Sequence, residues 1–158
     1  MNILLLCLFY TFIFAAPIAE NTAIRVASNL FTERSGESNM EIDSIELISE
    51  DALDLFYIIH LNPTGFILVS SDDRVLPILG YSFENTFIYS EDIPENIDYL
   101  LNLFKEEITA SIIQNIPATE RINQSWDKYL AVEIEPSNYR NMAPLLTSRF
   151  DQGATWNT

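Results

Sequence analysis

The chain has 158 residues, enough for one domain with a real core and too few to expect two. Hydrophobic residues make up 48%, which excludes a disordered tail. Its 23 acidic against 8 basic residues give a formal net charge of −15, so the surface repels phosphate backbones and argues against nucleic-acid binding.

The first twenty residues, MNILLLCLFYTFIFAAPIAE, hold an apolar run from Ile3 to Ala16 that is too short to span a bilayer comfortably. Small residues follow at Ala15, Ala16 and Ala19, so residues 1–16 are predicted to be a cleaved export signal. That signal implies a secreted or periplasmic protein whose only membrane contact is the signal itself. Cys7, the single cysteine, lies inside the run. The mature chain is then expected to form no disulfide, no thiolate metal site and no thiol nucleophile.

After the signal, NTAIRVASNLF places Ile24, Ala27 and Phe31 on one helical face, with Asn21 or Thr22 as candidate caps. TERSGESNM is a polar break. IDSIELIS and DLFYIIHLN are rich in isoleucine, leucine and aromatics and predict strands. The turn residues of NPTG (62–65) separate the second from a returning strand, GFILVSS. PILGYSF predicts a fourth strand, with Gly80 marking a bulge or a close approach.

The second half changes period. SEDIPENIDYLLNLFKEEITASIIQN carries Ile97, Leu100, Leu101, Phe104, Ile108 and Ile112 at helical spacing. Pro94, Asp92 and Glu95 suit its start, where carboxylates meet the positive end of the helix dipole. PATERINQSWDKYL predicts a shorter helix, residues 131–142 read as a linker, and the tail after it has no clear period. The plan is α+β: an N-terminal helix, an antiparallel sheet and a long helix packed across it. Phe66, Ile78, Leu100 and Phe104 are expected to share the core between sheet and long helix.

Candidate chemistry is sparse. His60 is the only histidine, and a general base needs a nucleophile and an orienting group that the sequence does not offer, so a structural role is expected. The acidic loops SSDDR and SEDIPEN lack the spaced ligands of a calcium loop, and Arg74 beside Asp73 suggests a local ion pair. No phosphate loop is evident. Neither a cofactor nor a metal is expected.

One stretch is more specific. GFILVSSDDRVLPILGYS (65–82) resembles the propeptide domain of the streptopain-like cysteine peptidases, peptidase family C10, whose stand-alone inhibitor relatives are called Spi. The family pattern is an aromatic strand, then G-G-F-V-I-V-S-G-D-D-R, then P-I-L-G-Y-S. Here Phe56 and Tyr57 supply the aromatics, and Gly65, Phe66, Val69, Ser70, Asp72, Asp73 and Arg74 the second piece. Ile78, Leu79, Gly80, Tyr81 and Ser82 supply the third, while Thr64 and Ser71 stand where the family often has glycine. TAIRVASNLF and PENIDYLLNLFKEEI look like the family's opening and long helices, so the likeness runs from Asn21 to Ile116.

The tail PLLTSRFDQGATWNT is similar to the first residues of the mature peptidase, with Gln152 and Gly153 matching its Q-G. The resemblance therefore implies a Spi-like domain over 17–130 and the truncated start of a catalytic domain over 143–158. The nucleophilic cysteine and catalytic histidine of such enzymes would come later, so the chain as given is not expected to be an enzyme. Two readings stay open: an inhibitor or chaperone domain that binds a C10 peptidase in cis or in trans, and the front end of a peptidase precursor. A third is a secreted surface-binding module that shares only the fold. On the first, Glu95, Asn96 and Ile97 match an E-N-I-like segment of the family, which implies that Asn96 helps displace the peptidase's catalytic histidine.

Overall fold

A computed structural model describes residues 17–90 and 92–131, and everything below concerns these residues. The chain runs α1 (Glu20–Ser35), β1 (Ile42–Glu50), β2 (Leu53–Leu61), β3 (Phe66–Ser70), β4 (Ile78–Ser82), α2 (Glu95–Ile113) and α3 (Glu120–Leu130). The four strands form one antiparallel sheet in the order β1-β2-β3-β4. The fold is α+β, as the periodicity predicts. The export signal over 1–16, the linker beyond Ala131 and the segment 143–158 with Gln152 and Gly153 lie outside the described residues.

Each connection has a local cause. Asp51 and Ala52 join β1 to β2 with φ of 50° and 61°, the paired left-handed conformation that a two-residue hairpin of matching twist requires. Between β2 and β3, Gly65 has φ 120°, and a Cβ there would lie 2.9 Å from the Ser82 carbonyl oxygen. Only glycine suits both demands. α1 ends at Gly36, whose φ of 79° turns its N–H back to the Thr32 carbonyl. Its start departs from expectation: the N-cap is Ala19, with no side-chain cap, and Asn21 and Thr22 lie inside the helix.

The central strands β2 and β3 are covered on both faces, whereas the edge strand β1 is largely open to solvent. α1 and α3 cover one, where Val26, Ala27 and Leu30 meet Tyr57, Ile59, Ile67, Val69 and Trp126. α2 covers the other, where Leu101 and Ile108 meet Phe56, Ile58 and Leu68. This double covering explains why Leu55 to Ile59 in β2 are buried without interruption. In α1, Ala27 is fully buried and Phe31 is half-buried against the same core, whereas Ile24 is half-buried outside it.

Of three register shifts in the sheet, two redistribute core side chains. Ile48 pairs with Phe56 and Ser49 with Asp54, so Leu55 is an extra residue and joins Phe56 in the α2-side core rather than following simple alternation. Leu68 pairs with Gly80 and Val69 with Ile78, leaving Leu79 extra. Ile78 is thereby turned to the α1 side, away from Phe66, Leu100 and Phe104. The expected four-residue core is corrected on this point and at Leu100, which is exposed and not part of the core. The bulge sits next to Gly80 as its glycine suggests, but no close backbone approach demands it there. Among the described residues no helix is long and apolar enough to cross a membrane.

Candidate functional site

The leading turn of α2 is built from a rigid entry. Pro94, with φ −53°, serves as N-cap, and its carbonyl accepts from the N–H groups of Ile97 (2.8 Å) and Asp98 (3.0 Å). No side chain caps this end; Glu95 and Asp98 place carboxylates at the positive end of the helix dipole instead. Asn96 sits between them and is exposed. Nothing in the packing holds it in the core, so its amide is available to a partner.

Beside this turn lies an apolar groove of about 650 Å³. Phe66, Leu68 and Leu79 of the sheet form its floor, residues 85–88, 90 and 92–94 one wall, and Ile97, Leu100 and Phe104 of α2 the other. Phe66 and Phe87 stack at 5.1 Å across it. Its rim is unusually apolar: Ile88 is 75% exposed and Leu100 44%. A shallower depression shares Ser90 and Ile93 with the groove and carries Glu95 and Asp98.

The SSDDR corner does different work. Asp72 is 3% exposed and receives Arg74 Nε at 2.8 Å, Arg74 Nη2 at 2.6 Å and the Arg74 backbone N–H at 3.0 Å. Arg74 Nη1 reaches on to Asn115 Oδ1 at the end of α2 (3.1 Å). The partner is Asp72, not the neighbouring Asp73 that adjacency suggests; Asp73 is exposed. The Asp72 hydrogen bonds hold the Arg74 guanidinium above its ordinary pKa even though burial opposes this. One residue further, the Val75 carbonyl accepts from Trp126 Nε1 of α3 at 2.8 Å. The corner thus ties α2 and α3 to the sheet from opposite sides, a structural role.

His60 Nε2 lies 3.1 Å from Glu46 Oε1 across the β1–β2 pair. That is the contact of a strand histidine, away from the α2 entry. Among the described residues no three His, Cys, Asp or Glu side chains converge as a cation site needs. The sequence predicts the helix that carries Asn96. It misses the groove, which becomes visible only when residues far apart in sequence, from Phe66 to Phe104, are brought together.

The comparisons with known proteins fall on this part of the chain. The sequence profile described as Spi protease inhibitor matches residues 15–108, more than half of the 158. The chain belongs to the Spi protease inhibitor family. It is a propeptide-type domain of the kind that accompanies C10 cysteine peptidases. It is also similar to the thiol protease/hemagglutinin PrtT of Porphyromonas gingivalis, with 28% identity over 116 residues. That match takes in 70% of this chain but only 13% of the relative's length. No solved structure matches. The Spi profile runs through the sheet, the SSDDR corner, the groove and the first turns of α2.

Proposed function

We propose that this Spi-family domain is exported, binds a streptopain-like C10 cysteine peptidase and blocks its active site with the leading turn of α2. The observation that carries the reading is the exposed Asn96 on a rigid entry beside an apolar groove. A carboxamide offers two donors and an acceptor, so it can pair with an imidazole nitrogen or a backbone group of the peptidase. It does so without bringing a charge into a closed cleft, which would carry a large desolvation penalty. The groove supplies apolar area around this polar contact, the usual arrangement of a recognition surface.

The test is inhibition of a C10 peptidase by the purified chain and by Asn96→Ala. Removing a hydrogen-bonding partner of this kind costs about 1–3 kcal/mol, so the variant should inhibit about tenfold or more weakly. Its circular dichroism spectrum and melting midpoint should match the wild type, because Asn96 is exposed. A wild-type chain that does not inhibit rejects the reading. Equal inhibition by both keeps the inhibitor and removes Asn96 as the blocking residue.

A second reading has its own support. The match to a small share of a much longer thiol protease, together with Gln152 and Gly153, fits a domain that acts in cis at the front of a peptidase precursor. The two readings use the same surface and differ in whether the peptidase is covalently attached.

A further inference from the structure

The groove beside α2 is bordered mainly by acidic side chains. From Val75 to Phe104 the sequence contains no lysine, arginine or histidine. Over the same stretch Asp92, Glu95 and Asp98 are exposed carboxylates, and Glu84 lines a separate depression beside Phe31 and Asn62. Asp92 lines the groove, and Glu95 and Asp98 lie in the depression that adjoins it. Of the cations that bracket the stretch, Arg74 is paired with Asp72 and Lys105 with Glu50, and Lys105 also lies over the Tyr89 ring at the edge of that depression. The helix dipole by itself accounts for Glu95 and Asp98. It does not account for the absence of lysine, arginine and histidine from Val75 to Phe104.

We infer that the groove is a docking site for an apolar side chain of the partner peptidase flanked by lysine or arginine. The apolar floor of Phe66, Leu68 and Leu79 takes the side chain, and the carboxylate rim selects its neighbours by charge. A mainly acidic rim repels acidic partners and attracts basic ones before contact, which raises the encounter rate and makes binding salt-sensitive. A second copy of this chain is a poor occupant, because at net charge −15 it would bring carboxylates onto carboxylates. The inference rests on the inhibitor reading for the identity of the partner, but the chemistry of the groove is testable without a peptidase.

Three fluorescein-labelled peptides in a Gly/Ser background serve as probes: a Phe flanked by lysines, the same Phe flanked by glutamates, and the lysine peptide with Ser for Phe. Anisotropy titrations with the full chain should show binding of the lysine–Phe peptide alone. Its affinity should fall about tenfold between low salt and about 0.3 M salt, as exposed charge pairs become screened. Glu95→Gln with Asp98→Asn should remove most of that salt dependence. Ile88→Ser, at a side chain too exposed to matter for folding, should weaken binding at every salt concentration. No binding of the lysine–Phe peptide, equal binding of the glutamate peptide, or indifference to Ile88→Ser overturns the inference. So does a concentration-dependent dimer of the chain that Ile88→Ser dissolves, which would give the groove to a second copy. Inhibition of a peptidase with no preference among the peptides rejects the groove alone, whereas the peptide preference without inhibition rejects the inhibitor reading alone.

Discussion

The two aspartates of the SSDDR corner separate a structural from a solvated carboxylate at adjacent positions. Asp72 is buried and satisfies the Arg74 guanidinium with both oxygens; Asp73 is exposed. Asp72→Ala should lower stability by about 3 kcal/mol, because it strands a half-buried guanidinium. Asp73→Ala should change it by less than about 0.5 kcal/mol. Urea midpoints of the two variants check this, and similar midpoints would mean that the corner does not depend on the ion pair. The sequence told of a turn with an ion pair here but not of its partner. Asp73 is the nearer along the chain, but the path of the backbone between Ser70 and Arg74 brings Asp72 to the guanidinium. Gly65 was legible as a turn residue, but its second constraint, the Ser82 carbonyl, comes from β4 and is invisible locally.

Helical and strand periods gave every element among the described residues, and the face of Ile78 is misread where a bulge shifts the period. Without the extra residue at Leu79, Ile78 would face α2 beside Phe66; with it, Ile78 faces α1. Nothing in PILGYSF except Gly80 hints at the slip. The stripe of α2 is graded in the same way: Leu101 and Ile108 are fully buried, Phe104 is half-buried in the groove wall, and Leu100 is largely exposed. Ile108→Ala should therefore cost about 2–5 kcal/mol, the usual range for a buried aliphatic. Phe104→Ala, despite removing more atoms, should cost less than that, since part of its ring already faces solvent. Thermal or urea unfolding ranks the two, and a larger loss for Phe104→Ala would put the weight of the α2 face on the groove. Thr119, the N-cap of α3, accepts from the Ile122 N–H at a long 3.4 Å. Its replacement by Ala belongs at the low end of the capping range, about 0.5 kcal/mol.

At the scale of the molecule, the sheet separates two faces with different tasks. The α2 face carries Asn96 and the groove, while the α1–α3 face fastens the end of α3. Asn29 Nδ2 donates to the carbonyls of Tyr129 (2.8 Å) and Ala131 (3.1 Å), which satisfies the last turn of α3. One helical turn along α1, Glu33 is 5% exposed, with Lys128 Nζ 2.8 Å from each of its oxygens and aligned for a hydrogen bond to Oε1 alone. Burial pushes the Glu33 carboxyl up, but Lys128, Tyr129 and the charge of Arg34 outweigh it and hold the group below its ordinary value of 4.5. A carboxyl with a lowered folded pKa adds stability that is fully present above the unfolded value and is lost as pH falls through the folded one. Lys128, which burial lowers but Glu33 and Tyr129 raise more, adds stability that is full below 10.5 and lost only above it. The pair is therefore at full strength near neutrality and weakens on the acid side because of Glu33. Glu33→Gln should be less stable than wild type at about pH 6, and the gap should narrow toward about pH 3, as the wild-type carboxyl protonates. Because the clamp lies on the face opposite Asn96, the same variant should leave peptidase inhibition at neutral pH unchanged wherever the domain remains folded. A stability gap that stays constant with pH would show that Glu33 acts through packing and not through its charge.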